Sequence, residues 1–400
     1  MSRNVVEVDP KKFPWLDLTR YTFCMAAENS GVVYLSGQTA GVYDPGQGKV
    51  VCKGDLIEQT KVIYEKLGVV LEAAGLGFEN VVQTVDYVYP VALPQYRQTG
   101  DIRRQYLGSS PVASTGICVE HLLRPDALIE ISAVAMKSPK RGIEPALGSS
   151  RQLTFVPAVE ADGIVWLSGY TGSEVVDGKR QYSRETARQV EVSYKTIGTV
   201  LEAAGTQPGD VVKSLDYISP QATLQYRDTG AVREDFFGGQ YPAATGILIN
   251  RLLRPEAHVE VETVAVKGGS RQEITIPDWD RRFGRLTYLP GVKKGRMVHI
   301  SGQGAVDHPT GQNVGGFDMA AQAEQAYGNI ARVLAEAGYS MDDVVNTIEW
   351  VAPNGLMGYR GTQGVRRKYF GDSFPSATGV LVHQLLRPEL LIEVTAVALV

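Results

Sequence analysis

The chain is poor in the residues that would announce a disulfide scaffold, a metal cluster, a nucleic-acid binder or a membrane span. It has only three cysteines in 400 residues, Cys24, Cys52 and Cys118, all in the first third. An odd set so confined excludes a disulfide framework and reads as free thiols. The five histidines, His121, His258, His299, His308 and His383, lack metal-ligand spacing, so no metal and no metal site is expected. Positive charge is not in excess: the formal net charge is -4 and the pI about 5.9, leaving no basic field for phosphates, and no nucleic-acid partner is expected. No apolar run approaches the roughly 20 residues of a membrane helix, and MSRNVVEVDPKKFPWLDL has no apolar signal core. The expectation is a cytoplasmic protein without membrane contact. Hydrophobic residues at 44% and charged residues at 21% are an ordinary globular balance, which argues against disorder.

What the chain does have is one pattern written three times, about 130 residues apart. A β-like run ends in Ser36-Gly37-Gln38, in Ser168-Gly169-Tyr170 and in Ser301-Gly302-Gln303. A helix then ends in LEAAG (Leu71 to Gly75), LEAAG (Leu201 to Gly205) and LAEAG (Leu334 to Gly338). Each copy closes with an STG or ATG strand, an LLRP turn and an IE-x-x-AVA-like strand. Within a copy the periodicities read ββαβαββ: apolar positions at helical spacing from Leu56 to Ala74, and strand-like alternation in VVQTVDYVYP. Strands such as LIEISAVAM are apolar on both faces, so the face away from the helices must also be covered. Three sheets around a pseudo-threefold axis would cover it inside one chain, and tethering removes the association entropy of a homotrimer. Residues 15–137, 151–267 and 285–400 are the expected units, joined by Lys137 to Arg151 and Lys267 to Arg285 as linkers.

Together the Ser-Gly-Gln strand, the EAAG helix end, Phe374-Pro375 and the closing strand resemble the RidA (YjgF/YER057c/UK114) family. The resemblance covers all three units. It implies an α+β fold of three tandem chorismate-mutase-like domains, with a central β-barrel, helices outside and small-molecule sites in the clefts between units. It also implies hydrolysis of reactive enamines or imines to ketoacids and ammonia, without a cofactor.

The resemblance assigns the catalytic carboxylate to Glu130, Glu260 and Glu393. Burial would raise such a group's pKa toward working pH; the competing reading is that each pairs with an arginine to hold the interface. Phe23, Phe155 and Tyr288 match the ring that lines the family pocket, and as rings they serve equally well as packing. The amides beside Gly37, Gly169 and Gly302 are candidate donors to a substrate oxygen. Substrate binding is further assigned to Thr115, Thr245 and Thr378 and to Tyr96-Arg97, Tyr226-Arg227 and Tyr359-Arg360. Gln363 joins them, where the first two units have Gly100 and Gly230.

The family's carboxylate-binding arginine is missing: Ser114, Ala244 and Ala377 stand in its place, and none can grip a carboxylate bidentately. Arginines that recur in all units are its possible replacements, Arg103, Arg233 and Arg366 in the second helix and Arg124, Arg254 and Arg387 in LLRP. The helix arginines have a second possible role, pairing with Asp86, Asp216 and Glu349 of the preceding strand to tie helix to sheet. The expected partner is a small, anionic molecule. Two other readings stand beside the imine hydrolase: a chorismatase-like enzyme acting on a cyclic diacid, resting on fold analogy, and a non-catalytic small-molecule-binding pseudo-trimer.

Overall fold

A computed structural model describes residues 3–145, 153–279 and 286–400. The expected unit starts at 151 and 285, and the middle of both linkers, lie outside these residues.

Each unit is a mixed sheet with a long helix laid across it. In the first unit the hairpin Ala26–Asn29 and Val32–Gln38 pairs antiparallel with the closing strand Ile129–Met136. That strand pairs antiparallel with Val81–Val88, which runs parallel to Ala113–Cys118. The other units repeat this order around Val211–Ile218 and Val344–Val351. The parallel pair is bridged by the second helical segment, as parallel pairing requires a crossover. The long helix, Leu56–Ala73, starts at a capping box between Asp55 and Glu58, and its apolar positions, including Ile63, Leu67 and Val70, face the sheet. Its counterparts are Thr186–Ala204 and Met319–Glu336.

The second helix of the ββαβαββ pattern is not a single α-helix. It is divided in every unit: Leu93–Tyr96 then Thr99–Leu107 in the first, and 3-10 turns passing into an α-helix in the others, Tyr226–Thr229 then Gly230–Phe237 and Pro353–Gly361 then Thr362–Phe370. The expected linkers also carry structure. Lys140–Ile143 and Arg271–Ile274 are edge strands of the second and third sheets, as Asn4–Val5 is of the first. From these strands Arg3, Lys140 and Arg271, at equivalent registers, each reach carbonyls beside the central strand of another unit. Arg3 donates to Met341 and Val344, Lys140 to Val81, and Arg271 to Gly209 and Val211.

The units close a ring. The short strand His121–Leu122 of the first unit extends the sheet of the third, Arg251–Leu252 extends the first, and Gln384–Leu385 extends the second. Isolated bridges, Cys24 to Ser376 and Ala243 to Leu289, link further sheet edges. The expected central barrel thus takes the form of three facing sheets joined at their edges. Their inner faces share one core, including Val32, Val82, Val134, Ile164, Val212, Val264, Val292, Val345 and Val397. At its middle lies a cavity of about 60 Å³ with a mixed polar and apolar lining. Equivalent positions lining it differ in each unit: Gln83, Lys213 and Asn346; Ser132, Glu262 and Thr395; Tyr34, Trp166 and His299. Lys213 and Glu262 are 2.6 Å apart, and burial together with the Lys213 charge holds His299 down to about 3, so its imidazole is neutral.

Candidate active site between the units

The Ser-Gly dipeptide marks where each opening strand leaves its ladder. Register shifts between Leu35 and Gln38 and between Ile300 and Gln303 are bulges that turn the Ser-Gly toward the neighbouring unit. Ser36 Oγ accepts from Ala377 N at 2.8 Å, Ser168 Oγ from Ser114 N at 2.9 Å and Ser301 Oγ from Ala244 N at 2.7 Å. The vacated arginine positions therefore sit at the unit boundaries. The glycine amides are already donated: Gly37 N to Thr378 Oγ1 at 3.1 Å, Gly302 N to Thr245 Oγ1 at 2.8 Å, and Gly169 N to Ser114 O at 3.2 Å. Thr115 Oγ1 is buried without a protein partner.

Behind each glycine stands the glutamate of the closing strand. A Cβ on Gly37, Gly169 or Gly302 would lie 2.2, 2.1 or 2.0 Å from the carboxylate oxygen of Glu130, Glu260 or Glu393, so any side chain there would push the carboxylate aside. Three equivalent junctions result, each with the glutamate of one unit beside the threonine of another: Glu130 and Thr378, Glu260 and Thr115, Glu393 and Thr245. Burial pushes Glu130 up to about 8 against the opposing pull of Arg124. Burial, reinforced by the negative charge of Glu262, pushes Glu260 up to about 8.

The cleft of Glu130 is an open space of about 980 Å³ lined by Phe23, Gly37, Arg124 and Glu130 of the first unit and by Tyr359, Arg360, Gln363 and Ala377 of the third. Its roof comes from the N-terminal segment, including Leu16, Arg20 and Tyr21, and from Lys49 and Val50 of the hairpin Val42–Asp44 and Lys49–Val51. Its floor is fixed by Lys66, which sequence reasoning passed over. Fully buried in the helix, Lys66 Nζ donates to Thr39 O at 2.8 Å and Gly41 O at 2.5 Å, and burial pulls its pKa down to about 7. Asn329 does the same for Gly304 and Val306 in the third unit. Gln363 and Tyr288 belong to different clefts: Gln363 faces Glu130, whereas the residue after Tyr288 is bonded to Pro242 of the second unit. At the junction of the first and second units Thr154, next to Phe155, lies against Gly100, the position that Gln363 holds in the third unit.

The helix arginines pair within their own units. Arg103 meets Asp86 at 3.1 Å, Arg233 meets Asp216 at 2.7 Å and Arg366 meets Glu349 at 2.5 Å. The hydroxyls of Tyr96, Tyr226 and Tyr359 donate to the same carboxylates. For Glu349 burial alone would raise the pKa, yet the Arg366 charge and its hydrogen bonds win and hold the carboxyl below its ordinary value. Arg97, Arg227 and Arg360 are exposed, and Arg360 lies at the mouth of the Glu130 cleft. Burial pushes the Cys24 and Cys118 thiols up to about 12 and Cys52 to about 11, which removes them as nucleophiles near neutral pH. No described helix is long and apolar enough to cross a membrane.

The comparisons with known proteins agree with the threefold pattern. The family described as Endoribonuclease L-PSP matches residues 17–137, 149–267 and 283–400. A RutC family protein of Pyrococcus horikoshii is 33% identical over 115 residues, 29% of this chain and 86% of the relative. The 2-iminobutanoate/2-iminopropanoate deaminase of Mus musculus is 31% identical over 117 residues, 29% of this chain and 82% of its own length. A solved YjgF/YER057c/UK114 family structure from Mycobacterium tuberculosis is 29% identical, with 33% of this chain and all of that chain covered and a TM-score of 0.27. With its matches spanning nearly the whole sequence, the chain belongs to the Endoribonuclease L-PSP family, the family also called RidA or YjgF/YER057c/UK114, in three tandem copies.

Proposed function

We propose that the chain hydrolyses a reactive imine or enamine in the cleft of Glu130. The observation that carries this reading is a buried carboxyl, raised to about 8, on the wall of a cleft large enough for an organic substrate. At neutral pH such a group is mostly protonated. It gives its proton to the imine nitrogen, and as carboxylate it then takes a proton from water while the water oxygen attacks the imine carbon. The carbinolamine so formed expels ammonia and leaves the carbonyl product. An enamine enters the same sequence after protonation at its β-carbon. The deaminase named among the relatives is consistent with this chemistry.

The chain's net negative charge speaks against RNA, while Arg20, Arg124 and Arg360 on the cleft lining suit a small anionic substrate. A chorismatase-like reaction on a cyclic diacid is favoured by no residue of the cleft.

The test is ammonia and ketoacid release from imines generated in situ by amino-acid oxidation, with wild type and the Glu130→Gln, Glu260→Gln and Glu393→Gln proteins. Accelerated release lost in Glu130→Gln alone is the expected result. A folded wild type that accelerates no imine would overturn the reading in favour of ligand binding without chemistry.

A further inference from the structure

The LLRP arginines hold equivalent places but different occupations. Arg387 is spent within its own unit, Nη1 donating to Asn313 Oδ1 at 2.9 Å and Gly311 O at 3.3 Å. Arg124 passes over Gly41, where a Cβ would stand 3.1 Å from its Nε, and comes out on the wall of the Glu130 cleft. There its Nη2 donates to Tyr21 OH at 3.0 Å. Asp126, which also lines the cleft, accepts from Cys52 N at 2.6 Å. A guanidinium so placed keeps a pair of parallel N–H donors for a planar anion.

Across the cleft the third unit presents Ala377, Tyr359 and Gln363, with Arg366 held by Glu349 and Arg360 out at the mouth, while Leu16, Phe23, Val50 and Leu123 give apolar wall. A space of about 980 Å³ is far more than a three-carbon imino acid fills. Such a substrate would bury little surface and leave water beside the reacting carbon.

We propose that Arg124 is the carboxylate anchor of the Glu130 cleft, and that its substrates are 2-imino acids with a large apolar side chain. The inference rests on the imine-hydrolase reading. The carboxylate pairs with Arg124, the imine nitrogen meets Glu130, and the side chain lies against Leu16 and Phe23.

The experiment compares imines made from alanine, leucine and phenylalanine, with wild type, Arg124→Met, Arg124→Lys and Glu130→Gln, each checked for folding by its thermal melt. Loss of a charge-assisted pair predicts KM raised about tenfold or more in Arg124→Met, with kcat little changed and partial recovery in Arg124→Lys. The phenylalanine imine should exceed the alanine imine in kcat/KM by about tenfold, the worth of a few buried methylenes. An unchanged KM in Arg124→Met, or equal kcat/KM for the two imines, overturns the inference. Phenylpyruvate binding by calorimetry separates the two failures. Binding lost in Arg124→Met, with no imine accelerated, keeps the anchor and discards the reaction; binding equal in both proteins discards the anchor.

Discussion

Glu130 links burial, catalysis and stability in one side chain. Its carboxyl has a folded-state pKa of about 8 against an unfolded value of 4.5. Between these values the folded state holds a proton that the unfolded state has lost, so stability is full below about 4.5 and falls as pH rises through about 8. Glu130→Gln should flatten that part of the stability profile and raise the melting temperature at pH 9 while removing turnover, as thermal melts from pH 4 to 9 would reveal. Imine hydrolysis by the wild type should decline above about pH 8, where the acid is gone; a rate that climbs through that range would assign the carboxylate as base alone. A methyl in Gly37→Ala would stand 2.2 Å from the present position of the Glu130 oxygen and must displace the carboxylate, so kcat/KM should fall. The repeated glutamates, glycines and threonines are legible in the sequence because each recurs at one place in a recognisable strand. The partners are not: Glu130 meets Gln363 and Thr378 only because the third unit precedes the first around the ring, and no local pattern encodes that order.

The strand acid and the helix that answers it form the working unit of each sheet. Asp86, Asp216 and Glu349 each hold an arginine and a tyrosine from a divided second helix, so the recurring helix arginines tie helix to sheet inside the unit. Breaking such a buried pair leaves one charge unpaired, so Arg366→Met should cost about 3–5 kcal/mol, and Arg366→Met with Glu349→Leu should recover much of it. Denaturant unfolding of the single and double variants checks both. The edge strands and their cation staples were hidden in the sequence, because strands of two to four residues carry too little alternation to stand out from linkers. Arg271→Ala removes donors to Gly209 and Val211 and should speed amide exchange in Arg271–Ile274 and its partner Gly291–Lys294.

At the scale of the whole molecule the central question is what the three sheets share. Apolarity on both faces of the closing strands already implied a common interior, and it is there, but the polar groups at its centre could be placed only with the register of all three sheets known. Lys213 and Glu262 stand there once, beside a neutral His299 and the rings of Tyr87, Tyr217 and Trp350. Lys213→Met would leave Glu262 buried without its cation and should destabilise the chain more than Glu262→Gln, by melting temperature at pH 7. The units have accordingly ceased to be interchangeable parts. Replacing the first or the third by a second copy of the middle unit would set indole beside indole and ammonium beside ammonium at the axis. The tandem is therefore a one-way arrangement: once the axis had been filled by unlike residues, the road back to three identical chains was closed.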